Sequence, residues 1–289
     1  MKFKKGIILA AGKGSRLSPI TTVISKPMLP VYDKPMLYYA LTNLMMAGVK
    51  EVLFISRKED ISNFKKLFGN GKKLGMKFSF THQKKPIGIP DAIDIAKSFI
   101  RKDSFILALA DNIFIGKSFS KTLKEAQLTF KDAAILSVKT KYPSKSAVIE
   151  TNKRQEILSI EEKPKKPKSD DTIPGFYFYD KTAISCVKKL SPSARGELEI
   201  VDVHKFYLDK GLLSVFKLKK DVKWFDTGDA NEMLEASNYL AKYQKENKTL
   251  IGSIELTAYQ NKWISKKNFR DLLNLLPTSD YKNKLKALV

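Results

Sequence analysis

Residues 6–17, Gly6-Ile7-Ile8-Leu9-Ala10-Ala11-Gly12-Lys13-Gly14-Ser15-Arg16-Leu17, constrain the fold more than any other stretch of the chain. An apolar run stops abruptly in a loop of small residues, and one arginine follows. Such a run reads as a strand buried on both faces, which means a parallel strand covered by helices. The loop lets backbone N–H groups approach an anion closely, because Gly12 and Gly14 carry no Cβ. Arg16 adds a fork of donors suited to phosphate. Lys26, in Ser25-Lys26-Pro27-Met28-Leu29-Pro30-Val31, supplies a second cation. Amides, Arg and Lys together suit a polyphosphate. The loop does not fit G-x-G-x-x-G, because Leu17 stands where the third glycine belongs, nor does it fit G-x-x-x-x-G-K-[ST]. Taken alone, it also fits an ordinary strand-to-helix turn.

The alternation continues beyond this loop. Apolar patterning predicts strands at 6–9, 51–56, 77–81 and 104–110, with helices at 35–48, 61–68 and 90–100. This order argues an α/β fold with a doubly wound, mostly parallel sheet. Ligands in such sheets gather beyond the carboxyl ends of the strands, so 10–16 and Asp111 should share one face. The second half is richer in strands, expected at 133–139, 147–150, 157–160, 176–179 and 214–218. Helices are expected there at 182–190, 197–209 and 229–246, and 163–171 reads as a polar loop. From about 254 the pattern is all helix, at 254–263, 266–276 and 281–288.

Composition narrows the function classes. A chain of 289 residues with 43% hydrophobic and 29% charged residues matches a soluble globular protein. No apolar run reaches membrane-span length, and Met-Lys-Phe-Lys-Lys-Gly leads into a strand rather than a signal peptide. The single cysteine, Cys186, excludes an intrachain disulfide and fits a reducing, cytoplasmic compartment. Two histidines, His82 and His204, exclude a multi-histidine metal centre. The formal charge of +23 raises nucleic acid as a partner. The excess is nearly all Lys, spread along the chain, whereas base-edge readout favours bidentate Arg. A solvated basic surface with affinity for anionic metabolites fits better than nucleic-acid or membrane binding.

Four further segments can carry chemistry. Asp111 ends the apolar run Leu107-Ala108-Leu109-Ala110 and is placed to hold Mg²⁺ near a phosphate, although a capping Asp fits as well. Asp226, in Trp224-Phe225-Asp226-Thr227-Gly228, is a candidate second carboxylate or a turn residue. Glu161-Glu162-Lys163-Pro164 offers an acid for sugar hydroxyls and a base for a sugar phosphate, or is a charged loop. Arg195 precedes an expected helix N-terminus, a place suited to anions.

Taken in order, these segments resemble the sugar-1-phosphate nucleotidylyltransferases, and most closely those that transfer a thymidylyl group to glucose 1-phosphate. The resemblance spans nearly the whole chain and is carried by 9–17, 25–36, 111–114, 159–167, 175–180, 193–203, 224–228 and 234–237. It implies a Rossmann-like, mixed, mostly parallel sheet with helices on both faces, a sugar-binding extension and a C-terminal helical section. It further implies a catalytic core over 1–250 with the sugar-binding part interleaved, and helices over 251–289. The implied reaction is Mg²⁺-dependent transfer from dTTP to glucose 1-phosphate, giving dTDP-glucose and pyrophosphate by direct displacement. Arg16, Lys26 and Lys163 are the implied catalytic residues. The backbones of Ala11, Gly12 and Gly14 would cradle the triphosphate, Gln83 would pair with the base and Gly88 would pack against it. Ala147, Glu162, Lys163, Ile173 and Arg195 would hold the sugar phosphate, and Asp111 and Asp226 the Mg²⁺. The resemblance also implies a homo-oligomer, tetramer or dimer, with a regulatory nucleotide site built partly by the C-terminal helices.

The chain departs from the family pattern in places that bear on substrate. Ala11 replaces a second glycine, Pro27 a glutamine, Ala147 a glycine and Pro174 a threonine, and Pro86-Ile87-Gly88-Ile89-Pro90-Asp91-Ala92 replaces the usual base-side ending. On the sequence, two alternatives stay open: a relative using UTP or another sugar 1-phosphate, and a non-catalytic nucleotide-sugar or nucleic-acid-binding protein.

Overall fold

Strand β1 (Lys5–Ala10) is buried because it is central. It pairs in parallel with β4 (Glu51–Ser56) on one side and β6 (Phe105–Leu109) on the other. The edge beyond β4 is β5 (Lys77–His82), again parallel. The computed structural model describes residues 3–288; Met1, Lys2 and Val289 lie outside the described residues.

Beyond β6 the pairing turns antiparallel. There β12 (Phe176–Tyr179) joins β6 to β8 (Ala133–Lys139), whose outer edge takes β13 (Leu213–Lys217) in parallel and then β11 (Asp171–Ile173). The sheet ends in β9 (Ala147–Thr151) and β10 (Ile157–Glu162), a mixed sheet of ten strands in all. Two ribbons stand apart from it. One pairs β2 (Pro30–Val31) with β3 (Lys34–Pro35), and the other pairs β7 (Asn112–Ile115) with β14 (Lys223–Asp226).

Helices cover both faces, as the sequence pattern required. Helix Met36–Met46 and helix Ile61–Phe68 pack on one face with the C-terminal helices Ile254–Gln260 and Lys266–Leu275, around Leu41, Phe54, Phe64, Leu256 and Phe269. On the other face, helices Asp91–Ile95, Lys97–Ile100, Thr182–Val187 and Ile200–Leu208 enclose Ile7, Leu107, Ile135 and Tyr177. Cys186 is buried in that second core. No helix among the described residues is long and apolar enough to cross a membrane.

Several elements differ from the sequence expectation. The helix expected over 90–100 is two short helices that meet at Ala96. The helix expected over 197–209 begins only at Ile200, because Glu199 is extended and its carboxylate is engaged by the loop before it. The strand expected over 157–160 runs on through Glu162, since the partner strand β9 continues alongside it. The polar loop expected over 163–171 closes in β11, and β7 was not expected at all. The short ribbon β2–β3 was not expected either, and β7 and β11 find their partners far along the chain, where local pattern carries no signal.

Candidate active site

The loop after β1 is shaped by Gly14. Its φ of +66° suits glycine, and a Cβ there would lie 2.9 Å from Lys26 Cβ. The loop closes in a single turn over Ser15–Leu17, with Thr21 Oγ1 donating to the Gly14 carbonyl at 2.9 Å. Gly12 differs: a Cβ there would meet nothing within 4 Å, so its bareness serves no packing within the chain. Arg16, exposed, lays its guanidinium on Gly228, where a Cβ would come within 2.7 Å of Nη2.

That contact brings the loop to two carboxylates. Lys26 Nζ pairs with Asp111 Oδ2 at 2.5 Å. Asp111 Oδ1 accepts from Asn112 Nδ2 at 2.9 Å, and the Asp111 carbonyl accepts from both Thr227 N and Thr227 Oγ1. The β7–β14 ribbon sets Asp226 opposite Asn112. Burial pushes the Asp111 carboxyl up, but the Lys26 ammonium and its hydrogen bonds outweigh it and hold the group below the ordinary carboxylate range. Asp226 goes the other way. Burial and the Asp111 charge raise it to about 7, against the pull of Lys26 and Arg16. Two carboxylates within electrostatic reach of each other, one of them resisting ionisation, could together hold a divalent cation.

Sequence reasoning missed what braces this pair. Asn112 Oδ1 accepts from Gly175 N at 2.8 Å and from Trp224 Nε1 at 2.7 Å, tying β7, β12 and β14 together behind Asp111. Behind Asp226, the Asp229 carboxylate caps helix Ala230–Asn247 by accepting from Glu232 N, and Glu232 accepts from Gly228 N and from Lys145 Nζ. The run Asp229-Ala230-Asn231-Glu232 is the available signal, a capping-box spacing.

The second group of residues stands on the sheet extension. Glu162, Ala147 and Ile173 lie in one row across β10, β9 and β11. Arg195 Nη2 reaches Glu162 Oε1 at 3.4 Å, and Lys163 Nζ lies 3.6 Å from the same oxygen. Arg195 is also held in a two-point pair by Glu199, at 3.1 and 2.6 Å. Glu199 therefore already sits beside the helix end that the sequence reading left open for an anion. Burial pushes the Glu162 carboxyl up despite the pull of Lys163 and Arg195. The fully buried Tyr177 joins the two groups: burial first, then the charges of Glu162, Asp111 and Asp226, raise its hydroxyl far above the usual tyrosine range.

The third group lines a cleft of about 360 Å³ at the carboxyl ends of β1, β4 and β5, with Ala11, Lys13, Arg57, His82 and Gln83 among its walls. Gln83 Nε2 donates to Asp91 Oδ2 at 2.8 Å and faces the Gly88 carbonyl at 3.4 Å. Gly88, at φ +123°, bridges to Leu198, and a Cβ on it would collide with the Leu198 carbonyl. A second hollow, of about 290 Å³, lies between helix Met36–Met46 and Thr249–Asn261. Near it Glu255 is buried and accepts from Tyr281 Oη.

An amide-rich loop, two carboxylates and a cation pair on one sheet face match a known pattern, and residues 5–243 fit the profile of the Nucleotidyl transferase family. The chain belongs to the nucleotidyl transferase family. This nucleotidyl transferase is 43% identical over 277 residues to a glucose-1-phosphate thymidylyltransferase of Neisseria meningitidis, covering 96% of each chain. It is 39% identical over 285 residues to one of Mycobacterium tuberculosis, covering 99% of each. Among solved structures, it superposes with a TM-score of 0.75 and 36% identity on a Bacillus anthracis protein described as a glucose-1-phosphate thymidylyltransferase, over 81% of this chain and 94% of that one. A UDP-glucose pyrophosphorylase complexed with UDP-glucose follows at 0.72 and 25% identity, over 84% and 99%. The nucleotidyl transferase is thus an enzyme, and its reaction class is nucleotidyl transfer.

Proposed function

We propose that this nucleotidyl transferase moves a thymidylyl group from dTTP to glucose 1-phosphate, releasing pyrophosphate, with Mg²⁺ as cofactor. The observation that carries the reading is the pairing of Lys26 with Asp111 beside the Arg16 loop, with Lys163 and Arg195 gathered on Glu162 on the sheet extension. The two substrates would meet between those groups.

In this reading the bare backbone of 11–14 and Arg16 bind the triphosphate. Lys26 leaves Asp111 for a phosphate oxygen as the nucleotide enters. Gln83 meets the base, with Gly88 shaping the cleft through Leu198. Glu162 takes sugar hydroxyls, Lys163 and Arg195 take the sugar phosphate, and the Ala147–Ile173 row forms the wall beside them. The attacking phosphate oxygen is already an anion, so no side chain has to remove a proton. The residues act by alignment and by neutralising charge.

Asp111 and Asp226 fit a divalent cation, since a carboxyl raised to about 7 beside another carboxylate gains from one. No set of three or more His, Cys, Asp or Glu side chains able to hold a metal occurs among the described residues, so phosphate oxygens and water would complete the ion's shell. When bound, Mg²⁺ supplies charge for the phosphoryl oxygens and an anchor for both substrates.

The test is pyrophosphate release with Mg²⁺ and glucose 1-phosphate, dTTP and UTP being compared in parallel. Rapid release with dTTP is the expected result. The uridylyl relative of the same fold favours a second reading, UTP as donor, and the one methyl separating the bases is worth only about 1–3 kcal/mol. No release with either donor would reject both readings.

A further inference from the structure

The two ends of the Gln83 amide are not equivalent. The residue is buried at the wall of the base-side cleft. Its nitrogen stands 2.8 Å from Asp91 Oδ2 and 3.4 Å from the Gly88 carbonyl oxygen. Both neighbours only accept: a carboxylate and a peptide carbonyl have lone pairs and no hydrogen to give. Turned over, the amide would set its own oxygen against two others in a poorly solvated place, so chemistry decides its orientation. Both amide hydrogens are then committed inside the chain. Oε1 receives no hydrogen bond from the described residues and is the end left to meet a ligand.

A fixed acceptor reads one feature of a base, an N–H donor. Thymine and uracil carry one at the imide N3–H. Cytosine carries a lone pair at N3, which would face the lone pairs of Oε1 with no hydrogen between them. Asp91 opens helix Asp91–Ile95, so the backbone of that turn sets where its carboxylate stands.

We propose that Asp91 is a specificity-determining positioning residue, which holds Gln83 Nε2 so that the cleft accepts imide pyrimidine nucleotides and rejects cytosine nucleotides. The proposal rests on the reading of this cleft as the base subsite of a nucleotidyl transfer site. Asp91 itself does not touch the base. It acts by denying Gln83 the flip that would present an N–H to cytosine N3.

The test compares dTTP and dCTP as donors, with Mg²⁺ and glucose 1-phosphate, in the wild type and in Asp91→Asn. An amide at position 91 can either donate or accept, so the shorter of the two contacts that hold the Gln83 amide no longer forbids the turn. We expect the wild type to favour dTTP strongly, and the ratio of kcat/KM for dTTP over dCTP to fall by about tenfold or more in the variant. The change should come through KM for the nucleotide, with KM for glucose 1-phosphate unmoved, a split that general loosening of the fold would not produce. An unchanged ratio in an active variant overturns the proposal, as does equal use of dCTP by the wild type. Absence of release from the wild type with every pyrimidine triphosphate overturns the transfer reading instead, and the proposal falls with it. Should Asp91→Asn fail to fold, N3-methyl-dTTP tests the wild type directly. Methylation removes the donor that Oε1 needs, so turnover as fast as with dTTP overturns the proposal.

Discussion

Asp111 holds three partners at once: Lys26 at its carboxylate, Asn112 at its other oxygen and Thr227 at its carbonyl. Asp111→Asn keeps the shape and removes the charge. We expect kcat to fall by about 10²–10³-fold, the scale of losing one preorganised electrostatic group, while the far-UV circular dichroism spectrum stays unchanged. Near-normal turnover would reject the cation-holding role. Lys163 is exposed, at φ +43°, with its ammonium 3.6 Å from Glu162. Lys163→Ala should raise KM for glucose 1-phosphate more than KM for dTTP in initial-rate measurements. The reverse pattern would move Lys163 to the nucleotide side. Both residues were legible in the sequence as charged side chains at strand ends. The acceptor role of Asn112 and the hold of Glu199 on Arg195 were not, because each depends on partners brought in from other strands or loops.

At the scale of elements, the β7–β14 ribbon decides whether the two carboxylates meet. Thr227 and Asp111 are 116 residues apart in sequence and 2.8 Å apart across the bond from Oγ1 to the carbonyl. Asn112 of β7 holds Trp224 of β14 and, through the Gly175 N–H that precedes β12, ties the ribbon to the main sheet. Asn112→Ala would leave two donors, Gly175 N and Trp224 Nε1, without their acceptor. Each unsatisfied buried group costs about 1–3 kcal/mol, and each kcal/mol moves Tm by roughly 2–4 °C in a chain near this size. Calorimetry should therefore show Tm lower by several degrees, with activity lost beyond what unfolding explains. A Tm within a degree of the wild type would show that the anchor bears little of the fold. The strand β1, helix Ile61–Phe68 and strands β4, β8 and β12 were legible from apolar patterning, since burial on one or both faces writes a local period. The ribbon was not, because three apolar residues in β7 and two in β14 specify no partner.

For the whole molecule, His204 works against stability in acid, opposite in sign to the raised carboxyl of Asp226. The histidine lies fully buried on helix Ile200–Leu208, stacked near Tyr177 and Tyr179, and neither ring nitrogen has a hydrogen-bond partner. Burial lowers its pKa from 6.5 to about 3. The folded chain thus keeps it neutral while the unfolded chain takes a proton below about pH 6.5. The contribution of this group to stability is fully present above that pH and is lost as pH falls toward about 3, at up to about 1.4 kcal/mol per pH unit. His204→Phe removes the titration, so its Tm should decline less steeply than the wild type's between pH 6.5 and 4, whatever its value at neutral pH. Parallel curves would show that another group governs acid unfolding.

The sequence by itself determined the parallel half of the sheet, the small-residue loop after β1, the charged residues at strand ends and the likeness to sugar-nucleotide-forming enzymes. All of these are written in local apolar period, in small residues and in ordered motifs, which a chain carries before it folds. The tertiary structure alone decided three things: that Asp226 is pushed up to about 7 by burial and by the nearby Asp111 charge, that Glu199 holds Arg195, and that the Gln83 nitrogen is engaged by Asp91. Each is a matter of distance and burial between side chains on different elements. Charge repulsion, ion pairing and the direction of an amide depend on those distances, and local sequence does not set them.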